Sequence, residues 1–329
     1  MTIMLSGVVL LLLSGGALPS IAVRGQKVKG PSTKDARRAI TRIAGFELSN
    51  DAVRVETVTP LSTPAGTGAG SVAEVTARIT TAFRAREQEE EGDGRWRVEA
   101  FRAADRRWEE IDFYTSAIGA DVAPARATLD ALVTDLAVQQ RTDKKPGELR
   151  RGSLRAEKFS PLLSSAVVSI EVEAGFRLER AGDGRWRVAE VRFGGDDDRW
   201  LSVVALVAAA DAAKLARARE ELQSVRAALE AYRSERGSYV VADDHATLID
   251  HLSPHYLPRV VRLDPWHRPY RYDGTRDRYV LRCDGADGRT NTADDVALDN
   301  RNTSTGTSAF PRRIVNSGSA ATTVGRKSS

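Results

Sequence analysis

The sequence predicts an α+β architecture: two repeated helix-plus-antiparallel-sheet units, then a third unit with a long helix, a short helix and a small β-hairpin sheet. Three observations carry this. Two anchors recur in the same order: Val53-Arg-Val-Glu-Thr-Val-Thr-Pro-Leu61 matches Leu154-Arg-Ala-Glu-Lys-Phe-Ser-Pro-Leu162, and Gly92-Asp-Gly-Arg-Trp-Arg-Val98 recurs unchanged as Gly182-Asp-Gly-Arg-Trp-Arg-Val188. Apolar and polar residues alternate over 75–83 and 168–176, the period of a strand with one wet face. From Leu215 the period changes to that of an amphipathic helix.

The chain opens on residues 1–22, which read as a signal peptide or an N-terminal anchor. The first 23 residues carry no charged side chain, and the apolar Val8 to Leu13 core leads to a small-residue site at Ser20-Ile-Ala22. Cleavage after Ala22 fits this pattern, while the missing basic start leaves an uncleaved anchor open, and only in that case is a membrane contact expected. The segment has no cysteine and so is not a lipoprotein signal. Cys283, the single cysteine, has no intrachain partner, so no disulfide supports an exported form.

The first repeat is placed at 33–118 and the second at 122–198. The offset between copies falls from 101 at the first anchor (53 to 154) to 90 at the second (92 to 182), which places an insertion in the first copy at Ser62–Ser71. Helices carrying Ala36, Ile40 and Ile43, ended near Gly45, and Leu129, Leu132, Val133 and Leu136 precede the two hairpins. Each Asp-Gly turn leads into a strand that points Trp96 and Val98, or Trp186 and Val188, inward. A tryptophan flanked by arginines can bind a carbohydrate or a nucleic acid. At alternating positions after a turn, core packing is the expected role.

The third unit, at 200–298, begins with Leu215, Ala218, Leu222, Val225, Leu229 and Tyr232 on one helical face, with Gly237 where a left-handed cap belongs. Asp243 or Asp244 caps a short helix carrying Leu248, Ile249 and Leu252, which Pro254 ends. Pro265 and Pro269 bracket Trp266 in a stiff turn. Tyr270 and Tyr272, then Tyr279 and Leu281, form the two strands of a hairpin. The final segment, 299–329, is rich in Ser, Thr, Asn and Gly without periodicity and is expected to be disordered.

The loop after the hairpin carries the chemistry. Asp284, Asp287, Asp294 and Asp295 fall together with Gly285, Gly288, Asn291 and Thr292, and only Arg289 is near in sequence to neutralise them. Clustered carboxylates repel unless a cation lies between them, and hard oxygen donors select calcium over softer metals and over the stricter octahedron of magnesium. Spacing alone leaves calcium and a solvated acidic turn both open.

The residues of this unit also carry a family resemblance. Leu263-Asp-Pro-Trp-His-Arg-Pro-Tyr-Arg-Tyr272, Tyr279-Val-Leu-Arg-Cys-Asp-Gly-Ala-Asp-Gly288 and Ala293-Asp-Asp-Val296, with Ala227-Ala-Leu-Glu-Ala-Tyr-Arg-Ser-Glu-Arg-Gly-Ser-Tyr239 upstream, resemble the C-terminal domain of type II secretion major pseudopilins, the general secretion pathway protein G. The resemblance spans about 205–296 and implies a pseudopilin-head-like fold that binds calcium. It implies side-chain ligands from Asp287, Asp294 and Asp295, and main-chain oxygens from Asp284 and Thr292. It further implies secretion-system or pilus-like proteins as partners, while the N-terminal segment points to an exported, periplasmic or envelope location. The family's peptidase site, a glycine followed by Phe-Thr-Leu-Ile-Glu ahead of an apolar helix, has no counterpart in Gly194–Asp211, so assembly by the usual pilin route is not expected. The Trp200–Ala210 run is also shorter than the ~20 residues that cross a bilayer.

Other functions find little support. Net charge is +4, yet basic and acidic residues are interspersed throughout, so no stripe for nucleic acid emerges. His245, His251 and His255 lack a zincin pattern and read as surface residues. No nucleophile elbow or phosphate loop occurs, and the protein is read as not an enzyme. Two classes remain: a structural or docking component of a secretion or pilus-like machine, or a stand-alone periplasmic ligand-binding module on which the head is a stabilising appendage. The oligomeric state is not legible.

Overall fold

The computed structural model describes residues 30–43, 47–61, 71–88, 94–103, 107–114, 123–140, 150–151, 154–193 and 199–301. The N-terminal signal or anchor, the 62–71 insertion apart from Ser71, and the tail beyond Arg301 lie outside the described residues.

Helix α1 (Thr33–Ile40) starts at a Ser32 cap whose hydroxyl accepts from the Asp35 N–H, and Asp35 reaches back to the Ser32 N–H. It presents Ala36, Ala39 and Ile40 to the interior. Strands β1 (Val53–Leu61), β2 (Val72–Glu87), β3 (Trp96–Arg102) and β4 (Trp108–Glu110) follow. The second copy supplies α2 (Ala123–Gln140), β5 (Arg150–Arg151), β6 (Leu154–Leu162), β7 (Ser165–Arg180), β8 (Trp186–Phe193) and β9 (Leu201–Ser202).

The two units share one nine-stranded antiparallel sheet. Its spine is β2 against β7, with Ile79 opposite Val172, Val75 opposite Phe176 and Phe83 opposite Val168. On its other edge β2 pairs with β1 along its first half and with β3 along its second, and β7 does the same with β6 and β8. The irregularities correspond: one lies between Val55 and Thr57 on β1 and between Ala156 and Lys158 on β6. Another lies between Arg84 and Ala85 on β2 and between Arg177 and Leu178 on β7.

One face of this sheet is apolar and covered by the two helices. Beneath α1 lie Val53, Val75, Ala77, Ala174, Phe176, Leu178 and Val191; beneath α2 lie Phe83, Ala85, Trp96, Val98, Phe159, Val168 and Ile170. Each core therefore draws on strands of both copies. Trp96 is buried edge-on against Phe159, and Trp186 is half-buried against the α1 core, so both serve packing. The opposite face is charged: Arg78 meets Glu56 at 3.3 Å, Arg192 meets Glu74 at 3.4 Å, and Arg177 meets Glu190 at 2.9 Å. Trp200 lies on this face between the guanidiniums of Arg177 and Arg192, over the bare α-carbon of Gly175.

Helix α3 (Val203–Arg236) leaves β9 at a Ser202 cap and ends at Gly237, whose φ of 79° is the left-handed conformation expected there. It is longer than its sequence periodicity announces. Its first turns bury Val203, Leu206 and Ala210 in the two sheet cores, so one face of the apolar run after Trp200 packs within the fold, while Val204 on the other face is 75% exposed. Its later turns bury Ala218, Leu222, Val225, Ala228 and Leu229 in a third core with α4 (His245–Leu252) and a small sheet. Asp244 is the α4 cap, accepting from the Thr247 N–H at 2.8 Å. The expected hairpin of β10 (Arg271–Gly274) and β11 (Tyr279–Cys283) carries a third strand, β12 (Val296–Asp299), on the far edge of β11. Among the described residues no helix is long and apolar enough to cross a membrane.

A polar junction joins the head to the large sheet. Glu109 of β4, 7% exposed, receives hydrogen bonds from Lys214 Nζ of α3 at 2.8 Å and from His267 Nε2 at 3.0 Å. Trp266 Nε1 donates to Asp211 at 2.9 Å. Burial opposes ionisation of Glu109, but the bonds and charges of His267 and Lys214 outweigh it and hold its carboxyl at about 2.

Candidate functional site

The acidic loop connects β11 to β12, so both of its ends are fixed by one sheet. Asp284 follows Cys283 directly, and its carbonyl accepts from the Gly288 N–H at 3.1 Å, which turns the chain back. Gly285 and Gly288 have φ of 56° and 67°. At Gly285 a β-carbon would collide with the Asp294 carboxylate, so glycine there is what lets Asp294 approach the backbone.

The loop gathers three of the predicted ligands. Thr292 Oγ1 lies 2.8 Å from Asp294 Oδ1, 3.0 Å from Asp295 Oδ1 and 3.3 Å from Asp287 Oδ1. It also lies 3.0 Å from the Arg289 carbonyl. A hydroxyl has one proton to donate, so it can satisfy only one of these acceptors at a time. Backbone donors stabilise the charges further: the Asp287 N–H donates to Asp294 Oδ2 at 3.1 Å, and the Asn291 N–H donates to Asp295 Oδ2 at 2.6 Å. Burial raises the Asp294 carboxyl, but the N–H of Asp287 and the Thr292 hydroxyl outweigh it, so the group lies below the usual carboxylate range.

Asp284 behaves differently from the other three. Its carboxylate turns to Arg271 of β10 at 2.7 Å and is 12% exposed, with Oδ1 buried and without a hydrogen-bond partner among the described residues. Sequence proximity offered Arg289 as the neutralising cation. The structure supplies Arg271 instead, and adds Arg268, whose guanidinium donates to the Gly285 carbonyl. These contacts were not legible, because arginines distant in sequence meet the loop only once the sheet forms.

Among the described residues no group of three His, Cys, Asp or Glu side chains already stands as a metal cage. The three carboxylates surround the Thr292 hydroxyl rather than a common point. The donor set nonetheless fits a hard divalent cation: it is all oxygen, carries several negative charges and has a hydroxyl with too few protons for its acceptors.

The histidines divide. His251 and His255 are exposed, as expected, but His245 is only 4% exposed and bonds the Val261 carbonyl at 2.8 Å. The surface reading is corrected at His245: its position as the first residue of α4 turns the ring toward Tyr270, beneath the small sheet.

The sequence model of one family, described as type II secretion system protein G, matches residues 205–300. That interval spans most of α3, the short helix, the small sheet and the acidic loop. No curated protein and no solved structure matches the chain.

Proposed function

We propose that this protein is an exported, envelope-associated component of a type II secretion or related pilus-like assembly, in which a calcium-stabilised pseudopilin-type head is carried on an internally duplicated α+β platform. The match over 205–300 carries the secretion assignment. The burial of Val203, Leu206 and Ala210 argues for docking rather than filament building, because that face of the helix start is already packed against the sheet of its own chain. In this reading the platform and head work as one body through the Glu109 junction, and the protein has no catalytic role.

Calcium would be held by the carboxylates of Asp287, Asp294 and Asp295 with main-chain oxygens of Asp284 and Thr292. It would supply the charge that the single Thr292 proton cannot, fixing the loop between β11 and β12. A ligand that binds only the folded state stabilises by RT ln(1 + [L]/Kd), about 2.7 kcal/mol at a hundredfold excess over Kd.

Calorimetric titration of the full chain with calcium and with magnesium tests the cation. Saturable calcium binding at millimolar concentration or below, lost in Asp287→Ala and in Asp294→Ala, is the expected result; no heat in wild type would sink it. For the docking role, the protein should co-purify with secretion-system proteins from envelope extracts and be missing from sheared filaments. Its recovery in filaments as a regular subunit would overturn that role.

A further inference from the structure

The duplication supplies an internal comparison on the charged face of the large sheet. In the second copy Trp200 is flanked by Arg177 and Arg192, whose guanidinium carbons lie 4.1 Å and 4.7 Å from the ring centre. In the first copy Trp108 is flanked by Arg84 and Arg102 at 5.6 Å and 5.8 Å. The positions correspond: Arg102 lies opposite Trp108 and follows the Phe83–Phe101 pair, as Arg192 follows the Phe176–Val191 pair. Where the second copy has Gly175, bare beneath Trp200, the first has Ala82, and a β-carbon there fits the wider spacing.

The copies differ in their counter-charges. Arg192 reaches Glu74 at 3.4 Å, and the register of β2 with β7 sets Glu74 beside Arg177. The same register sets Val167 beside Arg84, so the position that answers to Glu74 holds an apolar side chain. Thr80 likewise stands where the second copy has Glu173 (74 to 167 and 80 to 173 are the same step). Arg102 thus has the sandwich of Arg192 without its carboxylates, and among the described residues it forms no ion pair.

The surrounding acids do not make up the loss. Glu99 is shared by Arg84 at 3.6 Å and Arg86 at 3.0 Å, and Glu171 is held by Arg78 and Arg155 at 3.9 Å each. The exposed Glu110 lies opposite Ala100, so Arg84, Arg86 and Arg102 face only Glu99 and Glu110 at this end of the sheet. An exposed arginine is by itself a weak anchor. Here Trp108 holds the guanidinium over its ring and leaves the edge donors free, so less side-chain freedom is lost when a carboxylate arrives. Apolar surface adjoins it on the outward side of the β6–β7 hairpin, where Val167 is 39% and Leu162 72% exposed.

We infer that the Trp108 end of this face docks an acidic side chain, glutamate or aspartate, presented by a partner polypeptide next to a bulky apolar residue. The carboxylate accepts from Arg102 over Trp108, in the role that Glu74 plays for Arg192, and the apolar neighbour covers Val167 and Leu162. The site needs neither a cation in the acidic loop nor the secretion assignment.

The test is a titration of the full chain, labelled with nitrogen-15 at arginine and tryptophan, with acetyl-Leu-Glu-Leu-amide, using the Leu-Gln-Leu and Leu-Lys-Leu analogues as controls. The glutamate peptide should shift the Arg102 Nε and Trp108 Nε1 resonances saturably. The glutamine peptide should bind about tenfold more weakly, the scale of one charge-assisted contact, and the lysine peptide more weakly still. Arg102→Ala, at an exposed position, should abolish the Trp108 response. Val167→Glu should close the site by installing the carboxylate that the other copy already has, and Glu74→Val should do the reverse, making Trp200 respond to the same peptide. The proposal fails if the glutamate peptide does not saturate, if either control binds as well, or if Val167→Glu leaves binding undiminished. A silent Trp200 in Glu74→Val overturns it too, since a missing carboxylate would then not be what makes the site.

Discussion

Cys283 ends β11 with its side chain 1% exposed and its Sγ 3.4 Å from Asp264 Oδ2. Burial, reinforced by the nearby Asp264 charge, pushes the thiol up to about 12, so almost no thiolate exists at neutral pH. Iodoacetamide at pH 8 should leave the native protein unmodified and label it rapidly in denaturant, as intact-mass spectrometry would report; labelling of the native form would contradict this burial. Asp284 invites a separate comparison. Because its carboxylate serves Arg271 and not the Thr292 cluster, Asp284→Ala should lower the melting temperature without calcium yet keep the calcium-dependent increment, whereas Asp287→Ala should lose the increment. Thermal scans of both variants with calcium and with chelator separate these roles. At this scale the sequence read well wherever a residue acts on its near neighbours: Gly237 as cap, and Asp243 or Asp244 as cap, which the structure resolves to Asp244. It misread His245, whose burial depends on the sheet above it.

The long helix shows where periodicity stops informing. Its buried stripe runs through Val203, Leu206, Ala210, Lys214, Ala218 and Leu222 at steps of three or four residues, but a lysine in that stripe reads as an interruption. Glu109, 105 residues away in sequence, makes the position tolerable, with the Phe113 and Tyr114 rings beside the ammonium. The same pair gives the junction a pH dependence. The Glu109 carboxyl titrates at about 2 in the fold against an ordinary 4.5, so its contribution is complete above pH 4.5 and is lost as pH falls toward 2. By linkage that contribution is on the order of 3 kcal/mol. Glu109→Gln should cost about 3–5 kcal/mol at pH 7, since Lys214 is left buried without its counter-charge. It should also flatten the acid limb of the stability curve below pH 4.5. Chemical denaturation of both forms between pH 2 and 7 checks the sign; an acid limb as steep in the variant as in wild type would remove Glu109 from the account. Strand β12 was missed for a simpler reason: Val296-Ala-Leu-Asp299 is too short for alternation to register, and it is fixed by pairing with β11.

Across the whole molecule, what could be read was each unit's content, and what could not be read was how the units join. Alternation at Val75, Ala77 and Phe83 identified an inward face but carried no information on which strand would lie alongside, because strand pairing is chosen by contacts distant in sequence. The resulting spine places Ile79 opposite Val172, with Val75 against Phe176 and Phe83 against Val168. Each of these positions is related to its counterpart in the other copy by the same step of 93 residues (75 to 168, 79 to 172, 83 to 176), so the pairing has the symmetry of an isologous dimer interface closed within one polypeptide. A half-molecule of residues 30–114 would therefore expose on β2 an edge that is nearly its own complement. Centred on Ile79, two such strands set Glu74 against Arg84 and Val75 against Phe83. Expressed alone, that half should sediment as a dimer, with a second copy standing in for the missing β7; a folded monomer would show that the halves do not need one another.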